Sequence, residues 1–514
     1  MSQDSLKKRY ASKLTSKLVQ FGLGFVTLGM APRSLGPVAY GNFGFLTSFF
    51  MRTMKFLKFG IPAAYYTKLS KRQNEKKLIG FYAYYVAIVI FIVFICTIGA
   101  IKVGFQDIIW PGQNGYFIFA AALFAVLNYI SDVIRSTNDA YGYTFKLEIA
   151  FIIQSFLATG LILVLYLTNV LTLGSYFLLN YFLLFFVIIA GLRILHKHNI
   201  YLTKHLHLAK EEVYGYIKEF YHYSHPLFFN ALVVYIVVIA DRWLLQKFSG
   251  SVEQGYYTLA FKISGLIFLF TSSMSTLLLR EMSLSYKDGN RKEIRRLFIK
   301  YIPLFFFVAA YLAVFISFNA EAISFIIGGL VYKNASVVIA IMAFYPVHQS
   351  YGQLGGAVFL ATERTFIIRN IGVSTGVIGF FISLLLMTPV EFFGFGLGAE
   401  GLAIKMVLIQ FISVNIYLWI NTRFLKLSFL KFFGHQIFVI TSLSILANSS
   451  KYFTAFIIND ILINFFITGI IYSVLVLMLI KFYPRIVAMT RKEFNNYINM
   501  IIRIMINKIK VGLK

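Results

Sequence analysis

A chain of 514 residues that is 59% hydrophobic and 13% charged, with a mean hydropathy of +0.75, carries more apolar surface than a water-soluble fold of that size can bury. The bilayer must therefore solvate most of it. Backbone groups in lipid have to be satisfied within their own segment, so the spans are helices; runs such as 177–190 also lack the polar–apolar alternation of barrel strands. A net charge of +28 would suit nucleic acid if it were gathered on one face, and its distribution along the chain excludes that partner.

In chain order, a polar, basic segment (1–17) leads into a first span at 18–32, whose apolar run outlasts a signal-peptide core and reads as an uncleaved helix. The second span, 40–60, carries three cations, Arg52, Lys55 and Lys58. Spans follow at 78–100, 115–134, 146–167 and 172–192. The connection 193–223 holds His196, His198, His205 and His207, whose spacing reads as a solvated loop rather than a metal site. Next come 224–246, with Asp241 and Arg242, then 255–279, with Lys262, and 299–319. Span 334–360 contains Gly355-Gly356, a place for close helix packing or a kink. The last four are 366–388, 396–420 (with Lys405), 433–449 and 460–481. The tail mixes Ile and Met with Lys and Arg, as an amphipathic helix lying on a membrane leaflet would. The expected fold class is an all-α polytopic membrane protein of about fourteen transmembrane helices. Its parts are an N-lobe (1–195), a connector (196–223), a C-lobe (224–421), two extra helices (422–483) and a basic tail (484–514).

Of the 48 Lys and Arg, 37 fall in one alternating set of connections, 5 in the other and 6 inside spans. This is the positive-inside pattern, and it places both termini in the cytoplasm and the chain in the cytoplasmic (inner) membrane, its basic loops against anionic lipid. Every connection is too short for a soluble catalytic domain. No GxxxxGK[ST], HExxH or DxD motif occurs, and the one cysteine, Cys96, allows neither an internal disulfide nor a thiolate metal site. The expectation is therefore no enzyme, no catalytic residues and no metal.

A repeat is present. Gly36-x-Val38-x-x-Gly41-x-Phe43 follows the first span, and Gly250-x-Val252-x-x-Gly255-x-Tyr257 follows the seventh, 214 residues on. Both fall in expected outer loops (31–40 and 247–255). Six spans separate them, which implies two six-helix lobes in parallel, related by a pseudo-two-fold axis along the membrane normal.

The six cations within spans are Arg52, Lys55, Lys58, Arg242, Lys262 and Lys405. A cation at the bilayer centre costs roughly 2.5–3.5 kcal/mol on insertion scales, so each must snorkel, pair or face water. Lys58, near a span end, can snorkel. Arg52 and Lys55 lie deeper and share a helix face. Asp241 is the acid placed furthest inside a span, and its neighbour Arg242 points about 100° away from it. Asp132 and Arg135, three apart at a helix end, read as an i,i+3 surface pair. A positive interior suits an anionic substrate, since Arg forks and Lys point charges both bind phosphate. The amides Asn128, Gln154, Asn180, Asn230, Gln410 and Asn415 can line a wet path or join helices.

Two stretches carry a resemblance. Arg33-Ser-Leu-Gly-Pro-Val-Ala-Tyr-Gly-Asn-Phe43 resembles the first outer loop of the Wzx-type lipid-linked oligosaccharide flippases. Asp241-Arg-Trp-Leu-Leu245 with Gly255-Tyr-Tyr-Thr-Leu-Ala260 resembles their seventh and eighth helices. These flippases form a polysaccharide transporter family within the MOP superfamily, which also holds the MATE exporters and the lipid II flippases. The resemblance implies two lobes around a central cavity that opens to one side at a time. It implies a polyprenyl-diphosphate-linked oligosaccharide as substrate, for O-antigen, capsule or other surface polysaccharide, with a polysaccharide polymerase or chain-length regulator as a candidate partner. Arg52, Lys55, Arg242 and Lys262 fit the cationic cavity, Lys58 and Lys405 are further candidates, and Asp241 is a candidate for Na⁺ or H⁺ coupling, with no other cofactor. A drug exporter of the same fold or a membrane-embedded polymerase are the alternatives; the first calls for an acidic cavity and the second for a large outer loop.

Overall fold

A computed structural model describes residues 6–201 and 208–494 of the chain. Among these, all regular structure is helical. The elements are α1 (Leu6–Thr27), α2 (Met30–Leu57), α3 (Ile61–Lys71), α4 (Lys76–Lys102), α5 (Gln106–Ile109), α6 (Gly115–Ala140), α7 (Thr144–Leu167), α8 (Leu173–Lys197) and α9 (Lys210–Gly265). They continue with α10 (Phe268–Lys287), α11 (Arg291–Phe318), α12 (Ala320–Gly328), α13 (Ala335–Met342), α14 (Tyr345–Ala361), α15 (Thr365–Met387), α16 (Gly398–Phe424), α17 (Phe429–Ala455) and α18 (Ile461–Phe482).

Each of the fourteen expected spans falls on helix. Nine helices among the described residues are long and apolar enough to cross a bilayer by themselves: α4, α6, α7, α8, α11, α15, α16, α17 and α18. The other five spans fall on α1, α2, α9, α10 and α13–α14. His205, His207 and the tail beyond 494 lie outside the described residues. His196 and His198 do not gather a metal set among the described residues; His198 stacks on Tyr143 at 4.1 Å.

The chain divides into two compact units. The first runs through Thr258 and takes in Ile327–Tyr332 and Phe380–Ala399; the second holds Leu259–Ile326, Lys333–Gly379 and the chain from Glu400 on. In the first unit α6 turns Ile118, Ala121, Ala122, Ala125 and Tyr129 inward at helical spacing. Its small residues let α2 approach with Phe45, Leu46 and Phe50. Tyr65 of α3 stacks on Tyr82 of α4 at 3.9 Å and pairs through its hydroxyl with Thr137 Oγ1 at 2.9 Å. In the second unit α11 supplies the stripe Phe298, Ile302, Phe306, Ala309, Ala310 and Ala313, packed against α14 and α17.

The two expected outer loops are each reduced to a turn at one residue. The helical runs Met30–Leu57 and Lys210–Gly265 are each broken at a glycine, Gly36 (φ 67°, ψ 174°) and Gly250 (φ 78°, ψ −173°), into two limbs. Glycine alone adopts this backbone without strain, so the residue that sequence rules read as a turn marker makes the turn between two helices. The two kinks match each other in conformation as well as in motif. Beyond them the limbs cross. A Cβ added at Gly41 would collide with the Ser251 carbonyl oxygen, and one at Gly255 with the Pro37 carbonyl oxygen. Under the 214-residue offset Pro37 corresponds to Ser251 and Gly41 to Gly255, so the contact is self-complementary, as at a two-fold axis. Gly44 likewise faces Thr258, its own counterpart.

The first turns of α9 are clamped to the α3–α4 turn. Glu219 accepts from both Lys68 and Arg72, Tyr216 donates to Glu75, and Lys77 pairs with Glu212 at 2.5 Å. Phe220 is buried against Phe81. Partial burial pushes the Glu219 carboxyl up, and the hydrogen bonds and charges of Lys68 and Arg72 outweigh it, holding the group below the usual carboxylate range. A carboxylate held low stabilises the fold above its unfolded value and loses that contribution as pH falls through its folded value. Hydrogen exchange across 212–221 should thus rise several-fold in Glu219→Gln at pH 7. Wild-type protein should approach that rate, after correction for intrinsic rates, only when acidified below the usual carboxylate range.

Candidate functional site

Arg242 is the most thoroughly built of the expected cation positions. The kink at Gly250 turns α9 back on itself, so that Gln254, Tyr257 and Thr258, one face of the second limb, meet a side chain eight residues before the bend. The Arg242 guanidinium donates from Nη1 to Gln254 Oε1 at 2.8 Å and to Thr258 Oγ1 at 3.1 Å. It sits over the Tyr257 ring at 4.4 Å. Gln254, fully buried, returns a hydrogen bond from Nε2 to the Arg242 carbonyl at 2.5 Å, gripping both ends of the residue. The limb before the kink is tied down as well: Trp243 donates to the Ile108 carbonyl at 2.7 Å and Gln246 to that of Pro111 at 3.1 Å.

The partners that hold the guanidinium by hydrogen bond are neutral, so its charge stays available. Thr258 is also the side chain that Gly44 of α2 packs against. Two helical turns beyond Gly44, Arg52 of α2 is close enough to act on Arg242 as a like charge, while Asp241 acts on it as the opposite one. Asp241 is buried and accepts a hydrogen bond from Ser383 Oγ at 2.5 Å. The structure thus brings Arg52, Arg242 and Asp241 into one electrostatic neighbourhood within the first unit.

The remaining candidates are placed differently. Lys55, one turn from Arg52, is exposed. Lys58 pairs with Asp132 at 3.1 Å and lies over the Tyr129 ring at 4.3 Å. Lys262 belongs to the second unit and is exposed. Lys405, also in the second unit, is buried with its Cε against Gly379. Asp132 and Arg135 do not pair with each other as their spacing suggests. Asp132 goes to Lys58, and Arg135 goes to Glu148 of α7 at 2.7 Å, because neighbouring helices bring opposite charges closer than the i,i+3 partner. Of the amides, Asn128, Asn180 and Asn415 bond carbonyls of their own helices, and Gln154 joins α7 to α8 through the Leu183 carbonyl at 3.1 Å. Gln254, Thr258 and Tyr257 were not singled out as partners of Arg242 by sequence reasoning; their i, i+3, i+4 spacing after a glycine kink is the signal that finds them.

The fold is one found in solved membrane transport proteins. It is similar to the lipid II flippase MurJ in an inward closed conformation, with a TM-score of 0.63 and 15% identity over 92% of this chain and 98% of that one. It is also similar to a multidrug resistance MATE family transporter of the MOP superfamily in an inward-facing conformation, with a TM-score of 0.58 and 15% identity over 82% of this chain and 99% of that one. The protein belongs to the polysaccharide biosynthesis protein family, whose profile matches residues 6–279, more than half of the chain. No curated protein sequence matches it.

Proposed function

We propose that this protein flips a polyprenyl-diphosphate-linked oligosaccharide across the cytoplasmic membrane by alternating access, in the synthesis of a surface polysaccharide such as O-antigen or capsule. The observation that carries this reading is the Arg242–Arg52 neighbourhood. Two guanidinium groups lie within electrostatic range inside apolar helices, one of them oriented by neutral hydrogen bonds to Gln254 and Thr258. A site that holds like charges together is stabilised by an anion, and a diphosphate accepts the planar fork that arginine presents. Lys55 and Lys262 add positive charge further along the path, with Lys58 and Lys405 as secondary positions. A cation-drug exporter would place acids in this role.

The helices within 1–195 and 224–421 form the two lobes of this scheme, with both termini cytoplasmic, the helices of 422–483 outside the repeat and the basic tail on the inner leaflet. The diphosphate enters from the cytoplasmic side, the sugars occupy the hydrated interior and the lipid tail stays in the bilayer. Asp241, held by Ser383, is the position for Na⁺ or H⁺ coupling. A polymerase or chain-length regulator would receive the product.

The test is a reconstituted flipping assay with lipid-linked oligosaccharide. Arg242→Ala and Arg52→Ala, at wild-type expression and melting temperature, should each lower translocation at least 100-fold, the loss of a charge-assisted contact of about 3 kcal/mol. Arg242→Lys should recover only part of it, because a lysine cannot meet Gln254, Thr258 and an anion together. Full activity in both alanine variants would sink the diphosphate cradle.

A further inference from the structure

The second unit contains a polar seam inside its helices that the translocation scheme leaves unused. Along one face α14 presents His348, Tyr351, Gly352 and Gly355, at the three- and four-residue spacing of a single stripe. Facing it, Phe411 of α16 meets the His348 ring edge-on at 5.1 Å. Asn421 of α16 donates to the Gly355 carbonyl at 3.0 Å. From α17, Gln436 donates to Asn415 Oδ1 at 3.2 Å. Every one of these amide groups already uses N–H on a protein acceptor, Asn415 on the Phe411 carbonyl included.

The atoms left bare are of the other kind. His348 Nδ1 and Asn421 Oδ1 have no hydrogen-bond partner, while the Tyr351 hydroxyl and the Gln436 amide act on each other. Their residues are buried, His348 to 5% exposure and Asn421 to none. An orphaned buried polar group costs about 1–3 kcal/mol, and lipid offers nothing to relieve it. Two along one seam, both acceptors, call for a donor. Water supplies one, and the seam has the polar partners that a buried water needs. His348 is the one group along it able to add a donor by gaining charge.

We propose that His348, with Tyr351 and Gln436, is an intramembrane proton-binding site reached through water held in this seam. In the tautomer with hydrogen on Nε2, the Nδ1 lone pair takes a proton from hydronium and leaves a water molecule. The imidazolium then donates from Nδ1 to a seam oxygen that was bare before. The ionisable groups on the packed elements are few. α14 adds Tyr345 and Tyr351. In α10 residues 268–279 carry none, and α13 carries none. The apolar part of α11 (301–318) carries Tyr301 and Tyr311. In α16 Glu400 lies eleven residues and Lys405 six residues before Phe411, Lys405 packed against Gly379, and Tyr417 and Arg423 follow. In α17 His435 faces the Ile486 carbonyl at 2.8 Å, with Lys431 and Lys451 further along. No acid of these segments faces the ring, so the proton's charge is met by dipoles and water.

The test uses the full chain in lipid nanodiscs with ¹⁵N-labelled histidine. The protein has 8 histidines, and the signal absent in His348→Gln assigns this one. On titration from about pH 8 to pH 3, a range that extends well below the ordinary histidine value, the His348 ring nitrogens should move from the neutral to the imidazolium pattern. The same signal should survive in a water-edited spectrum. In pyranine-loaded liposomes, proton uptake driven by an imposed gradient should fall at least five-fold in His348→Gln. A ring that stays neutral and dry across the range, a hydrated ring that never titrates, or unchanged uptake in His348→Gln overturns the proposal. Should His348→Gln fail to fold, Tyr351→Phe serves: removing one seam oxygen must shift the His348 midpoint, and an unmoved midpoint counts against the site. Neither readout uses a lipid-linked glycan, so proton binding can fail while flipping stands, and the reverse.

Discussion

Gly41→Ala and Gly255→Ala should each cost the fold about 3 kcal/mol or more, whereas Gly24→Ala should leave it unchanged or slightly firmer. The difference lies in what the new methyl meets. At Gly41 it would overlap the Ser251 carbonyl oxygen and lie 2.7 Å from the Gly255 amide nitrogen. At Gly255 it would overlap the Pro37 carbonyl oxygen, with Pro37 Cα at 2.9 Å. These are backbone atoms of a crossing helix and cannot rotate away, so the limbs must separate, the upper end of overpacking penalties. Gly24 sits in α1 with nothing within 4 Å of the built atom, so only helix propensity acts, about 1 kcal/mol in favour of alanine. Gly36→Ala falls between: the space is open, but φ of 67° costs an L-residue roughly 1–2 kcal/mol. Melting in detergent, followed by the monodisperse fraction on size-exclusion chromatography, should rank the four as Gly24, Gly36, then Gly41 and Gly255 together. Equal loss at Gly41 and Gly255 is the mark of the self-complementary crossing, and a wild-type melting point for either removes it.

The same crossing shows what could be read before any coordinates. Helix number and placement followed from apolar length and charge alternation, because insertion into lipid depends on local composition. The repeat was visible because both copies need glycine at the bend and at the crossing. The turn itself was legible in the glycine beside Pro37 or Ser251, but not its length: only the structure shows that helix resumes directly after the glycine. The cations within spans could be named by their cost in lipid, but not sorted. Lys58 and Arg52 lie six apart on one helix, and what separates them is Asp132 on α6, a tertiary fact. His348 drew no notice as a lone histidine in an apolar run; its bare nitrogen depends on where α16 and α17 place their amides.

Arg135→Met should be among the most destabilising single changes in the protein, and Glu148→Leu in the same chain should largely reverse it. Glu148 stands one turn into α7 with its side chain 2% exposed. One carboxylate oxygen takes Arg135 at 2.7 Å; the other has no hydrogen-bond partner. Arg135, about a third exposed and lying over Phe151 at 4.5 Å, can reach water if it loses the carboxylate. The two deletions are therefore unequal. Removing Arg135 strands a buried carboxylate, for which about 3–5 kcal/mol is the expected loss. Removing Glu148 leaves a cation that can turn outward, so about 1 kcal/mol should be lost. Removing both replaces a desolvated pair by apolar contact, which is near neutral or stabilising when the volumes match. A double-mutant cycle on melting in detergent should give a coupling of at least 2 kcal/mol, dominated by the Arg135→Met arm. Two equal single-mutant losses that simply add would mean that Glu148 is solvated, and that the pair is an ordinary surface contact at the helix end.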